Sequence, residues 1–256
     1  MGKLFALVVL AGIAAASSAA QAHDFFLLPD QFSTSRAGPL NVQATVGSSF
    51  PNMDNSVTAD RVDRLFTEGP GRPRLTIEGT GAKALNLRLT GASRGTVVAA
   101  VKTKDRDVEY GEDRIPLILE EYRVSPEAVA AVERLTKPRT LKVISRRFAK
   151  TLLCVERCEG LSAAARPLGA DLEFVATGAG ADRFRLLSQG RPLGRYLIDV
   201  VSQEGKRRHL TSDSQGELHI PADAKGSLML FAAVMTPPAG GDRFTLNLST
   251  LTFSRP

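Results

Sequence analysis

Apolar side chains along this chain alternate with polar ones or gather in short runs, and Gly, Pro, Ser and Asn break the runs at short intervals. PLNVQATVG (39–47), PRLTIEG (73–79), ALNLRLTG (84–91) and GTVVAAVKT (95–103) each carry that two-residue beat or a continuous apolar stretch. Side chains alternate between the two faces of a strand, so this pattern predicts β-strands with one or both faces buried. TLKVISRRFAKTLLCVE (140–156) extends the series. A second group follows from residue 166: ADLEFVAT (170–177), DRFRLLSQGRPL (182–193), GRYLIDVVSQ (194–203), RRHLTSD (207–213), GELHIPA (216–222), GSLMLFAAVM (226–235) and FTLNLSTLTFS (244–254). Close spacing with tight turns predicts a mainly β fold, with immunoglobulin-like or transthyretin-like antiparallel β-sandwich units.

One segment has a different period. In EDRIPLILEEYRVSPEAVAAVERLTKP (112–138), Ile118, Leu119 and Tyr122, and then Val129, Val132 and Leu135, recur at helical spacing. Ser125-Pro126-Glu127 has the form of a helix start, with a hydroxyl cap followed by proline at the first helical position. Two short helices are therefore expected as an insertion among the strands. The chain divides on this reading into an N-terminal β-sandwich domain, 23–165, with the helical insertion at about 112–138, and a C-terminal transthyretin-like β-sandwich domain, 166–256.

The first 22 residues follow neither pattern. Lys3 supplies a positive start, Leu4 to Ala16 an apolar run, and Ala20-Gln21-Ala22 a small-residue cleavage pattern, which together predict a cleaved signal peptide, 1–22. The run is shorter than the roughly 20 apolar residues that span a bilayer. Cleavage at that point would leave His23 as the first residue of a soluble, exported chain.

Charge adds little to this picture. The 33 basic and 27 acidic residues give a formal charge of +6, spread along the sequence. The dense clusters, Arg146-Arg147 and Lys206-Arg207-Arg208, lack the interleaved aromatic residues on which nucleic acid bases stack, and are expected to be solvated strand or turn ends. No nucleic acid partner is expected. The two cysteines, Cys154 and Cys158, are separated by three residues. In an oxidising compartment they are disulfide candidates, given a turn at residues 155–157; a thiolate metal site and a redox-active pair are the alternatives.

The candidate chemistry lies with three histidines. A leading His23 would offer its α-amino nitrogen and its imidazole Nδ1 to one ion, and nitrogen-rich ligand sets suit Cu(II) or Ni(II). Both groups lose their protons near neutral pH at little cost. If residues 211–217 close a hairpin with Thr211 opposite Glu217, His209 and His219 become cross-strand neighbours on one face, close enough to share an ion. A one-residue slip would separate them. His23, His209 and His219 are the candidate metal ligands; alternatively, His23 merely precedes a strand packed by Phe25, Phe26 and Leu28, and His209 and His219 are exposed polar residues.

AHDFFLLP after the expected cleavage site, RRFAKTLL in mid-chain, PLGADLEFV, SQGRPLGRYLIDV, TSDSQGELHI and the closing STLTF together resemble an exported family of unknown function whose members are often labelled nickel-uptake periplasmic proteins, NikK-like and sometimes misnamed NikM. The resemblance spans nearly the whole chain after residue 22. It implies a β-sandwich with a transthyretin-like C-terminal half, a periplasmic location and a role in handling transition metals beside a membrane metal transporter.

Catalytic signals in the sequence are thin: there is no H-E-x-x-H and no glycine-rich phosphate loop. Glu120 and Glu121 are adjacent on a predicted helix and point in different directions, so they cannot flank a substrate together. The expectation is a non-enzymatic periplasmic accessory that binds nickel, cobalt or copper in support of metal uptake. A non-catalytic envelope interaction module is the alternative, and a copper-dependent oxidative enzyme is a third reading. Three tyrosines and no tryptophan give little aromatic surface for a polysaccharide.

Overall fold

A computed structural model of the protein describes residues 23–256; the expected signal peptide lies outside the described residues. The chain opens with β1 (Asp24–Pro29), β2 (Ser33–Thr34), β3 (Leu40–Gly47) and β4 (Asn55–Ser56), followed by a 3₁₀ turn at Ala59–Arg61. β5 (Val62–Glu68), β6 (Gly71–Thr80), β7 (Leu85–Ala92), β8 (Gly95–Thr103) and β9 (Arg106–Gly111) precede the helices α1 (Ile115–Glu121) and α2 (Pro126–Glu133). β10 (Thr140–Val155), β11 (Leu172–Ala176), β12 (Arg183–Ser188), β13 (Arg191–Pro192) and β14 (Leu197–Ser202) come next. β15 (Arg207–Thr211), β16 (Glu217–His219), β17 (Gly226–Thr236) and β18 (Arg243–Arg255) complete the chain. The fold is mainly β with a short helical insertion, as the residue pattern predicts.

Three sheets form. β1, β3, β7 and β6 lie in that order, with β4 on β3, in a five-stranded sheet. A nine-stranded sheet runs β15-β14-β17-β18-β10-β8-β5, with β2 and β9 also on β10. The third sheet, of four strands, runs β11-β12-β13 with β16 on β12. Strand β17 shows why the nine-stranded sheet is central. Its Leu228, Leu230 and Ala232 join a core with Phe174, Phe184 and Leu186 of the four-stranded sheet. The alternate residues Met229, Phe231, Ala233 and Met235 pack instead with Phe26, Phe50 and the helices. Burial on both faces accounts for the unbroken apolar run in GSLMLFAAVM. The five-stranded sheet covers a further face through Leu27, Leu85 and Leu87 against Val97, Ala99 and Leu153.

One expectation is corrected here. The pairing is not wholly antiparallel: β10 and β18 run parallel, from Lys142 opposite Arg243 to Thr151 opposite Thr252. Strands on both sides of residues 165/166 share one sheet, β14, β15, β17 and β18 lying in the sheet that holds β5, β8, β9 and β10. With a neighbour along each edge, β10 satisfies its backbone groups only by joining the two halves.

The helices occupy the connection between β9 and β10, whose ladder closes at Gly111 and Thr140. The Ser125 hydroxyl accepts a hydrogen bond from the Ala128 amide at 3.4 Å and Pro126 fills the first turn. Ile115, Ile118, Ala128 and Val132 face the sheet. Arg139 grips Glu112 across the base of the insertion, its Nε 2.8 Å and its Nη2 2.5 Å from Oε1.

A buried ion pair clamps the four-stranded sheet to the central one. Lys150 on β10 and Glu173 on β11 are 1% and 0% exposed. Lys150 Nζ donates to Glu173 Oε2 at 3.0 Å and to the Phe174 carbonyl at 2.8 Å. The carboxylate also accepts the Leu168 and Gly169 amides, both at 3.0 Å, which fixes the segment between β10 and β11. Burial pulls the Lys150 ammonium below its ordinary range, against the pull of Glu173.

Candidate functional site

His23 immediately precedes β1 and is exposed. β1 pairs with β3 so that Asp24 opposes Gly47, which brings the start of the strand to the loop after β3. In that loop Asp54 Oδ2 accepts both the amide and the hydroxyl of Ser48 at 2.7 Å. These bonds hold the Asp54 carboxyl below its usual range, and the nearby His23 adds to the effect.

Asp24 turns the opposite way from Phe25, as successive strand residues must, and is 1% exposed. Its Oδ2 receives Arg207 Nη2 at 2.5 Å, while Oδ1 is buried without a hydrogen-bond partner. Burial pushes the Asp24 carboxyl up to about 6, and Arg207 opposes that shift. Arg207 bridges onward: its Nη1 donates to Asp199 Oδ2 at 2.8 Å, and its guanidinium lies 5.3 Å above the Phe231 ring. Asp199 is 3% exposed, and its other oxygen, Oδ1, lies 2.7 Å from both Arg123 Nη1 and His209 Nδ1. Arg123 belongs to the α1–α2 connection, so this cluster ties the first strand, the helical insertion and the β14–β15 hairpin together.

The His209 ring is 56% exposed although its Nδ1 is held by a buried carboxylate. His209 Nδ1 lies 2.7 Å from Asp199 Oδ1 and 2.7 Å from Arg123 Nη1, so it can donate to the carboxylate in one tautomer and accept from the guanidinium in the other.

The pairing expected between His209 and His219 does not form. His209 on β15 opposes Asp199 on β14, and His219 on β16 opposes Arg183 on β12. A turn does close where expected, with the Asp213 amide bonded to the Glu217 carbonyl at 2.8 Å. It carries the chain from one sheet to another because Leu218 and Ile220 bury between the sheets, leaving His219 exposed beside Glu217 at 3.6 Å. Among the described residues, no three His, Cys, Asp or Glu side chains come together as a group able to hold a metal ion. Cys154 and Cys158 form a disulfide, their Cα atoms 5.6 Å apart.

The expectation that the basic clusters are solvated holds for Lys206 and Arg208, which are exposed, and is corrected for Arg207 and Arg147. Arg207 bridges two buried carboxylates, and Arg147 is half-buried in a cleft. The network through Asp24, Arg123, Asp199 and Arg207 was not evident from the sequence. Its legible signals were single acids placed inside apolar strands, Asp199 in LIDVV and Asp24 before FFLL.

The fold and this charged cluster define a multi-sheet β-sandwich protein whose first strand is pinned by an acid-arginine network. The chain belongs to the family described as a domain of unknown function, DUF4198, whose model matches residues 20–236. No curated protein matches the chain. Among solved structures it is similar to the D0-D1 domain of intimin, at 12% identity over 89% of this chain and 97% of that one, with a TM-score of 0.23. So distant a likeness says nothing about function.

Proposed function

We propose that the protein is a periplasmic accessory that captures a divalent transition metal ion, nickel, cobalt or copper, at the start of β1 and passes it to a membrane metal transporter. The observation that supports this most is His23, exposed at the head of a strand that Asp24 anchors through Arg207. Removal of residues 1–22 would add an α-amine to its imidazole, and the neighbouring Asp54 would supply negative charge. Such a set is incomplete. For cargo this is an advantage, because an ion with open coordination positions exchanges readily into a partner's ligands. His209, whose Nδ1 meets Asp199 and Arg123, lies in the network that anchors Asp24 and offers a further nitrogen.

Calorimetric titration of chain beginning at His23 with Ni(II) and Cu(II) tests this reading. One ion per chain is expected, with affinity falling more than tenfold in His23→Ala and in protein carrying one extra N-terminal residue. Binding unchanged by both alterations would exclude the first-residue chelate, and no binding at all would favour the alternative of an envelope interaction module without metal.

A further inference from the structure

A cleft of about 280 Å³ opens between β1, β3 and β4 of the five-stranded sheet on one side and the ends of β8 and β9 and the middle of β10 on the other. Three guanidinium groups line it, those of Arg61, Arg106 and Arg147, and no carboxylate does. The topology assembles them. Arg106 opposes Ser145 across the β9–β10 ladder, and Arg147 is two residues further along β10, so all three side chains share a face. Arg61 closes the far side from the 3₁₀ turn, with one nitrogen on the Lys104 carbonyl at 3.2 Å. Among the described residues, none of the three arginines lies within ion-pair distance of an acid, whereas their neighbour Arg146 is committed to Asp105 and Asp171.

Hydroxyls and an apolar floor complete the cleft. Thr103 and Ser145 are 5% and 6% exposed and line it, yet among the described residues their hydroxyls bond to no protein group. Phe25, Val46 and Val57 supply apolar surface. Acids around the cleft are bonded to other groups: Asp24, whose carboxyl also feels the Arg147 charge, is bonded to Arg207, and Asp107 is paired with Arg243. Asp60 is held below the usual carboxylate range chiefly by the Thr58 side chain, with Arg61 a minor influence.

Guanidinium forks match the paired oxygens of carboxylates and phosphates, and arginines without an ion-paired protein acid leave that capacity unused. We propose that this cleft binds a small organic oxyanion, its carboxylate or phosphate group held by Arg61, Arg106 and Arg147 and its apolar body against Phe25, Val46 and Val57. Ser145 and Thr103 donate to the same oxygens. The site is separate from His23 and does not depend on metal binding there.

Calorimetry with inorganic phosphate and with succinate at low ionic strength, followed by amide chemical-shift mapping, tests the proposal. Saturable binding of at least one of the two is expected, with shifts centred on Ser145 and Arg147. Phosphate binding alone would assign a phosphoryl ligand, and succinate binding alone a carboxylate. Arg147→Gln should weaken binding about tenfold or more, the scale of one lost charge-assisted hydrogen bond. Arg106→Gln changes an exposed side chain and should also weaken it while leaving the fold intact. Arg208→Gln, which removes the same charge from an arginine paired with Asp223, should leave affinity unchanged. Absence of saturation with both anions, or equal weakening by Arg208→Gln and Arg147→Gln, would overturn the proposal.

Discussion

Replacing Lys150 with methionine keeps most of the side-chain volume and removes the ammonium from a site that is closed to water. Glu173 would then hold its charge at 0% exposure with the Leu168 and Gly169 amides as its remaining donors. Stripping one partner from a buried pair costs about 3 to 5 kcal/mol, and the two surviving amide bonds place this case near about 3 kcal/mol. The Phe174 carbonyl also loses its Lys150 donor. Neutralising the acid at the same time removes most of the penalty. The double variant Lys150→Met with Glu173→Gln should therefore be more stable than Lys150→Met alone, by about 2 kcal/mol. Urea denaturation of wild type, both single variants and the double variant at pH 7 gives the coupling energy directly. A loss below about 1 kcal/mol in Lys150→Met, or additive single effects, would refute the claim that this pair clamps the sheets.

Other consequences concern the insertion, the disulfide and the charged cluster. The Arg139 side chain and amide hold the Glu112 carboxyl down at about 2. Its contribution to stability is thus present above the ordinary glutamate value of 4.5 and is lost as pH falls toward 2, so wild type and Arg139→Gln should differ at pH 6 and converge near pH 2 in thermal melts. Ser125→Ala removes the cap of α2 and should cost about 1 kcal/mol, seen as faster amide exchange across residues 126–133. Replacing both Cys154 and Cys158 with alanine frees a very short loop and should cost about 2 kcal/mol or less in denaturant, since loop-closure entropy is small for so few residues. Asp199→Asn removes the anionic neighbour of His209 Nδ1 and should change the tautomer balance of the ring, readable in the imidazole nitrogen chemical shifts; an unchanged ring signal would show that Asp199 does not orient it.

Local features were legible because they depend on neighbours in the chain. The two-residue alternation marks β3 and β7, and continuous apolar runs mark β8 and β17, at nearly their observed bounds. The change of period at residues 112–138, with Ser125 and Pro126, marks the helices just as directly. The outward turn of His219 between buried Leu218 and Ile220 follows from the same alternation. Strands β5 and β9 were not marked: VDRLFTE and RDVEYG lie mostly half-buried or exposed and carry little apolar contrast.

The sequence by itself determined which residues extend, which coil, and which face of each strand is apolar. Tertiary structure alone decided partners: that β10 lies along β18, that His209 meets Asp199 instead of His219, and that Arg207 sinks between Asp24 and Asp199. The reason is energetic. Side-chain alternation fixes a strand's faces but not its neighbour, and the entropy of closing a loop grows only slowly with its length. A partner some two hundred residues away, such as Arg207 for Asp24, can therefore be selected over a nearby one by the burial and charge it completes.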